Sequence, residues 1–190
     1  MTTDDTTKSV VRKDRSVFVT VGTTLFDKLI EGVTTPTAVR WMKDQGYNKM
    51  TIQYGKGQKP TIVSEELFQV VTYDFASSLE QDMIQADLII SHAGAGTVME
   101  ALRLQKRLMV VINTDLMNNH QTELASAMHE RKLLYMVESP NVLQESFGEL
   151  EHFVPLPHQE GDEFAFPILL DSFLGFDQNT SGECCGKKRE

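Results

Sequence analysis

The residue types that can hold a charged ligand gather in two glycine-containing stretches of the chain. The first reads Val-Thr-Val-Gly22-Thr23-Thr24. The second reads Ser91-His92-Ala93-Gly94-Ala95-Gly96-Thr97, with Glu100 three residues further on. Gly94 and Gly96 admit positive φ and let a ligand approach the backbone. A helix opening directly after them presents unpaired N–H groups toward an anion such as a diphosphate. His92, Thr97 and Glu100 then surround that position. A carboxylate there repels phosphate, but Glu100 can accept hydrogen bonds from sugar hydroxyls nearby. Two plainer readings stand beside this one. Thr97 and Glu100 have capping-box spacing, which by itself accounts for both, and His92 can be a hydrogen-bonded structural histidine.

A third polar stretch, Asn113-Thr-Asp-Leu-Met-Asn118-Asn119-His120-Gln121, is rich in side chains that both donate and accept. It suits recognition of uncharged hydroxyls and amides, although Asn118 and Gln121 can also simply cap the next helix. Several other chemistries are disfavoured. The P-loop spacing and GxGxxG are absent, and there is no GxSxG elbow for a nucleophilic serine. The histidines His92, His120, His129, His152 and His158 make no HxxxH or HExxH pair, and Asp115 stands alone. Adjacent Cys184 and Cys185 lack zinc spacing. No metal site is expected, and a divalent ion here would lean on the phosphates of its ligand.

These stretches must be positioned by strands and helices. Residues 17–21 form a short β-branched run ending at Gly22, read as a first strand and turn. Helical spacing runs from Leu25 to about Lys43, with a break or restart at Pro36. Further strands are expected over residues 50–54, 67–73, 87–90, 108–112 and 133–137, with 108–112 the most buried. Residues 58–66 read as a loop. Helices are expected from a capping box at Ser77–Glu80 to Gln85, from Thr97 to Leu104, over 118–131, after Ser139-Pro140, and near 164–173. Leu124 and Met128 read as core, and Trp41 and Tyr47 as packing residues. Strands alternating with helices predict an α/β fold, a Rossmann-like, mostly parallel sheet with helices on both faces. The two glycine stretches then lie at the C-terminal ends of strands, where open α/β sheets bind ligands.

Composition bounds the rest. The 190 residues suffice for one sizeable core, and 41% apolar with 24% charged residues is ordinary for a soluble domain. A net charge of −9 disfavours a broad grip on nucleic acid, so no nucleic-acid partner is expected. The apolar run 108–112 is far too short to cross a bilayer, and the polar start reads as no signal peptide. Two adjacent cysteines give no disulfide framework and fit a reducing compartment. Residues 1–15 read as a flexible leader, 16–176 as one domain, and 177–190 as a flexible, solvated tail.

Three blocks, VFVTVGTTLFDKLI, ADLIISHAGAGTVMEAL and VVINTDLMNNHQTELA, closely resemble the soluble catalytic subunits of the eukaryotic UDP-N-acetylglucosamine transferase of the dolichol pathway. That family is similar to the C-terminal half of MurG-type GT-B glycosyltransferases, and the resemblance spans roughly residues 16–175. It implies a single GT-B half-domain, the UDP-GlcNAc-binding half of a split, inverting enzyme. It also implies a membrane-anchored, acceptor-binding partner subunit that recruits this chain from the cytoplasm to the cytosolic face of the endoplasmic reticulum. Membrane association would be indirect, through that partner. The implied reaction moves GlcNAc to dolichyl-diphospho-GlcNAc and needs no catalytic metal and no cofactor.

By the same resemblance, Gly22, Thr23 and Thr24 match the first glycine loop, near the diphosphate and the cleft. Ser91, His92, Gly94, Ala95, Gly96 and Thr97 match the diphosphate loop. Glu100 matches the ribose-holding acid, and Asn118, Asn119, His120 and Gln121 match the run that reaches the donor sugar. Residues 164–176 match the partner-docking region. His92 is the candidate catalytic group on this side; the base can also belong to the partner. Two other readings remain: a non-catalytic partner-binding module that keeps the fold, and a self-sufficient small nucleotide enzyme.

Overall fold

The computed structural model describes residues 14–61, 68–115 and 120–158, and for His120 and Gln121 the backbone alone. Its apolar runs become six strands: β1 (Ser16–Thr20), β2 (Lys49–Gln53), β3 (Gln69–Tyr73), β4 (Leu88–His92), β5 (Arg107–Val111) and β6 (Tyr135–Val137). They form one sheet ordered β3-β2-β1-β4-β5-β6, and every pairing is parallel. Helices α1 (Asp27–Thr34), α2 (Pro36–Asp44), α3 (Glu80–Gln85), α4 (Ala95–Arg103), α5 (His120–Glu130) and α6 (Leu143–His152) make up the rest.

Alternation along each strand explains why both faces are covered. Val17 and Val19 of β1, Leu88 and Ile90 of β4, and Met109 and Val111 of β5 join α1, α2 and α6 in one cluster. There they meet Leu29, Ile30 and Val33 of α1, Met42 of α2, and Leu143, Phe147 and Leu150 of α6. The intervening Phe18, Ile89, Leu108 and Val110 belong to a second cluster with Met83 of α3, Val98, Ala101 and Leu102 of α4, and Ala125 of α5. Each of the valine, leucine, isoleucine, phenylalanine and methionine side chains among them stabilises the fold by about 1.5–3 kcal/mol when fully buried. Trp41 stacks on Phe147 at 4.7 Å between ring centroids, tying α2 to α6, and Tyr47 is buried, so both are packing residues as expected.

Pro36 resolves the ambiguous helical stretch into two helices. Thr35 caps α2, its Oγ1 accepting from the Ala38 N–H at 3.1 Å, and Pro36 occupies the first turn, where a missing N–H does no harm. Ser139 accepts from the Asn141 N–H in the same manner, opening a 3-10 turn that leads into α6.

Three expectations need correction. β4 runs two residues beyond Ile90, because Ser91 and His92 pair with Val110 and Val111 of β5. A ladder built from backbone groups continues through polar side chains that sequence pattern assigns to a loop. α4 starts at Ala95 rather than Thr97, with Gly94 as N-cap. The capping box at Ser77 is not formed: α3 begins at Glu80 with Leu79 as N-cap and no side-chain cap, and Ser78 Oγ accepts from the Glu80 N–H instead. No helix among the described residues is long and apolar enough to cross a membrane. Most of the 1–15 leader, the helix expected near 164–173 and the 177–190 tail lie outside the described residues.

Candidate functional site

The strand order reverses direction between β1 and β4, and a crevice opens outside the carboxyl ends of strands at such a switch point. The loops after these two strands are the two glycine stretches. After Thr20 the chain turns at Gly22, whose φ is +60°, a conformation that suits glycine. The Thr24 N–H and hydroxyl both donate to the Val21 carbonyl, at 3.2 and 2.8 Å, closing a tight turn with Thr23 exposed at its tip.

That turn is held from β2. Gln53 is buried at the end of β2, and its Oε1 accepts from the Gly22 N–H at 2.9 Å and from Thr20 Oγ1 at 2.6 Å. Its Nε2 donates to the carbonyls of Gly22 and Asp74, at 2.7 and 2.6 Å. Gly55, also at φ +60°, lies so close that a Cβ there would sit 2.7 Å from the Thr24 carbonyl oxygen. The sequence pattern places a strand over residues 50–54 without singling out Gln53. The available signal is one amide at the end of a strand in which Met50 and Ile52 alternate with Lys49 and Thr51, two residues before a glycine.

On the β4 side His92 sits between the two loops. A Cβ on Gly22 would fall 2.8 Å from its Cε1, and a Cβ on Gly94 would fall 2.4 Å from its Nε2. The imidazole is therefore wedged between two glycines. It is 6% exposed, and Nδ1 has no hydrogen-bond partner among the described residues. Burial pushes its pKa below the ordinary histidine value, opposed by a hydrogen bond with the Thr20 backbone. Ser91 is fully buried, and its hydroxyl donates to the His92 carbonyl at 2.8 Å.

Gly94 and Gly96 are glycines for reasons other than the positive φ expected of them. Neither has one; Gly94, at φ −72°, is glycine because the His92 ring fills the space of its Cβ. At Gly96 no atom lies within 4 Å of the place a Cβ would take, so its lack of a side chain leaves open space at the helix end. The N–H groups of Ala95, Gly96 and Thr97, in the first turn of α4, find no acceptor among the described residues. No side chain caps this terminus, so the capping-box account of Thr97 and Glu100 fails. Both are half-buried on one helix face at i, i+3 spacing.

The third polar stretch starts from the same place. Asn113, buried after β5, donates from Nδ2 to the Leu25 carbonyl at 3.2 Å and accepts from the Asp115 N–H at 3.1 Å. Asp115 pairs with Lys28 Nζ of α1 at 2.9 Å. Residues 113–115 are thus anchored to the loop after β1. Asn118 and Asn119 lie outside the described residues, and His120 and Gln121 are placed by backbone only, as the first turn of α5. No cluster of three His, Cys, Asp or Glu side chains that could hold a metal ion occurs among the described residues. The carboxyl ends of β1 and β4 thus carry the Gly22 turn, the buried His92 imidazole and the N–H groups that open α4, with Glu100 one turn further along that helix, residue types suited to an anion carrying hydroxyl groups.

Known proteins share both the sequence and this architecture. The human UDP-N-acetylglucosamine transferase subunit ALG13 is 47% identical over 122 residues, 64% of this chain and 11% of the human one. The Yarrowia lipolytica protein of the same name is 36% identical over 122 residues, 62% of each chain. This chain therefore spans about a tenth of the human relative and less than two thirds of the yeast one. The fold matches the NMR solution structure of ALG13 with a TM-score of 0.62 at 22% identity, over 83% of this chain and 96% of that one. It matches Acinetobacter baumannii MurG with a TM-score of 0.58 at 20% identity, over 73% of this chain and 42% of that one. Residues 16–165 match the glycosyltransferase family 28 C-terminal domain, and the chain belongs to that family.

Proposed function

We propose that this chain is the donor-binding catalytic subunit of a two-chain, inverting glycosyltransferase that moves GlcNAc from UDP-GlcNAc to dolichyl-diphospho-GlcNAc, giving dolichyl-diphospho-chitobiose. The observation that carries the reading is the convergence at the switch point: the Gly22 turn and the start of α4, whose terminus no side chain caps, both pack against His92. The relatives named as UDP-N-acetylglucosamine transferase subunits support the donor, and the word subunit supports a partner.

In this mechanism the donor diphosphate lies at the N–H groups of Ala95, Gly96 and Thr97, with Gly22, Thr23 and Thr24 alongside and Ser91 holding the strand end beneath. Glu100 accepts from the ribose hydroxyls, and Asn118, Asn119, His120 and Gln121 reach the sugar. The acceptor hydroxyl oxygen attacks the anomeric carbon, the bond from that carbon to the phosphate oxygen breaks, and UDP leaves with the electron pair. Loop N–H groups and the helix end meet the charge developing on UDP, so the proposal assigns no metal or cofactor. The acceptor proton goes to a base, either neutral His92 or a group of the partner.

The partner we propose is a membrane-anchored, acceptor-binding subunit that holds this cytoplasmic chain at the cytosolic face of the endoplasmic reticulum, docked through residues 164–176. Residues 16–176 would be the working domain, between a leader and a tail. The test is transfer of labelled GlcNAc from UDP-GlcNAc to a short dolichyl-diphospho-GlcNAc analogue, with and without the membrane subunit. Transfer that needs both chains is expected. Transfer by this chain alone would refute the split site, and none by a verified complex would leave a non-catalytic binding module.

A further inference from the structure

We propose that Gln53 is the positioning residue of the donor loop, the group that fixes the Gly22 turn against His92 before any ligand arrives. Its importance for the donor rests on the donor-binding reading above. A primary amide has two donor hydrogens and two acceptor lone pairs, and Gln53 uses all four. Two of its bonds enclose the same residue, since Oε1 takes the Gly22 N–H at 2.9 Å and Nε2 gives to the Gly22 carbonyl at 2.7 Å. The other two reach Thr20 Oγ1, at the end of β1, and the Asp74 carbonyl beyond β3. The amide orientation is therefore unique. Reversed, it would set its NH2 against the Gly22 N–H and its oxygen against two carbonyls.

The consequence reaches the crevice through sterics. Gly22 sits at φ +60°, and the space of its absent Cβ is filled by the His92 ring, 2.8 Å away at Cε1. A shift of the Gly22 peptide by a few tenths of an ångström would thus move either the imidazole or the Thr23 tip. Gln53 itself is 2% exposed and touches no ligand position, so it acts only through this turn. It is a supporting group of the kind on which the precision of a binding site depends.

The test uses the full chain carrying Gln53→Met, which keeps volume and makes none of the four bonds, or Gln53→Glu. The glutamate keeps the shape but turns a carboxylate oxygen toward the Gly22 and Asp74 carbonyls. Amide hydrogen exchange, resolved residue by residue by NMR, reads the turn without a ligand. We expect Gly22 N–H exchange about tenfold faster, the equivalent of roughly one net hydrogen bond, with β5 and α6 amides at wild-type rates. UDP affinity should fall by about tenfold as well, beyond any change in folded fraction. Wild-type exchange at Gly22 in a folded variant overturns the proposal, and so does an acceleration spread equally over β5 and α6. Should both variants fail to fold, Gln53→Asn keeps an amide but shortens its reach by one methylene and leaves the second acceptor of the Gly22 N–H, Thr20 Oγ1 at 3.1 Å, in place; it should speed Gly22 exchange roughly threefold, and an unchanged rate overturns the proposal. A wild-type chain that does not bind UDP would defeat the donor-binding reading alone, because exchange at Gly22 still decides the role of Gln53.

Discussion

Replacing Gly22 and Gly96 separately by alanine tests whether the two glycines of the crevice serve different purposes. At Gly22 the φ of +60° costs an alanine about 1–2 kcal/mol. The new Cβ would also stand 2.8 Å from His92 Cε1. The ring cannot retreat easily, because it already fills the space beside Gly94. Overpacking of this kind costs about 1–3 kcal/mol. The combined effect, about 3 kcal/mol, should lower Tm by roughly 6–12 °C for a chain of this size. At Gly96 no atom lies within 4 Å of a Cβ and φ is not left-handed. Gly96→Ala should therefore leave stability unchanged or raise it by up to about 1 kcal/mol. Under the proposed function it should nonetheless weaken UDP binding by about tenfold, since a methyl group would stand in front of the free N–H groups of α4. Thermal unfolding followed by circular dichroism, with UDP titration of each folded variant, supplies both readouts. A Gly22→Ala protein that melts like the wild type would refute the steric argument. A Gly96→Ala protein that binds UDP like the wild type would refute the open-approach argument.

Two further outcomes follow from the same geometry. His92 has a pKa depressed by burial, so as pH falls the unfolded chain binds the extra proton first, and stability is full above about pH 6.5 and declines from there as pH falls through the lower pKa of the folded protein; denaturant unfolding at several pH values should show this decline, and a His92→Gln variant with an identical pH slope would contradict it. Asn113→Leu leaves the Leu25 carbonyl and the Asp115 N–H without their partner and should destabilise by about 1–3 kcal/mol, whereas Lys28→Ala breaks only an exposed ion pair worth about 0–1 kcal/mol. Equal losses for these two variants in chemical unfolding would show that the β5 loop is not anchored through Asn113.

Much of this protein was legible without coordinates because burial on both faces of a parallel sheet writes itself into sequence. Runs such as Val17-Phe18-Val19 and Leu88-Ile89-Ile90 are apolar at every position, since odd and even side chains each meet a helix layer. Pro36 marked the restart of the helical stretch that becomes α2, because a fixed φ acts locally. The glycine stretches were readable as the ends of strands for the same reason: short residues after an apolar run carry their own signal. What sequence could not supply was anything that depends on which strands are neighbours. The order that sets β1 beside β4 brings Gly22 to His92, and the pairing of β1 with β2 brings Gln53 to Gly22, contacts between residues far apart in the chain. Gly94 illustrates the difference most directly. Its identity looked like a demand of backbone conformation, yet its φ is ordinary, and only the packed His92 ring, placed by the tertiary fold, explains why a Cβ has no room there.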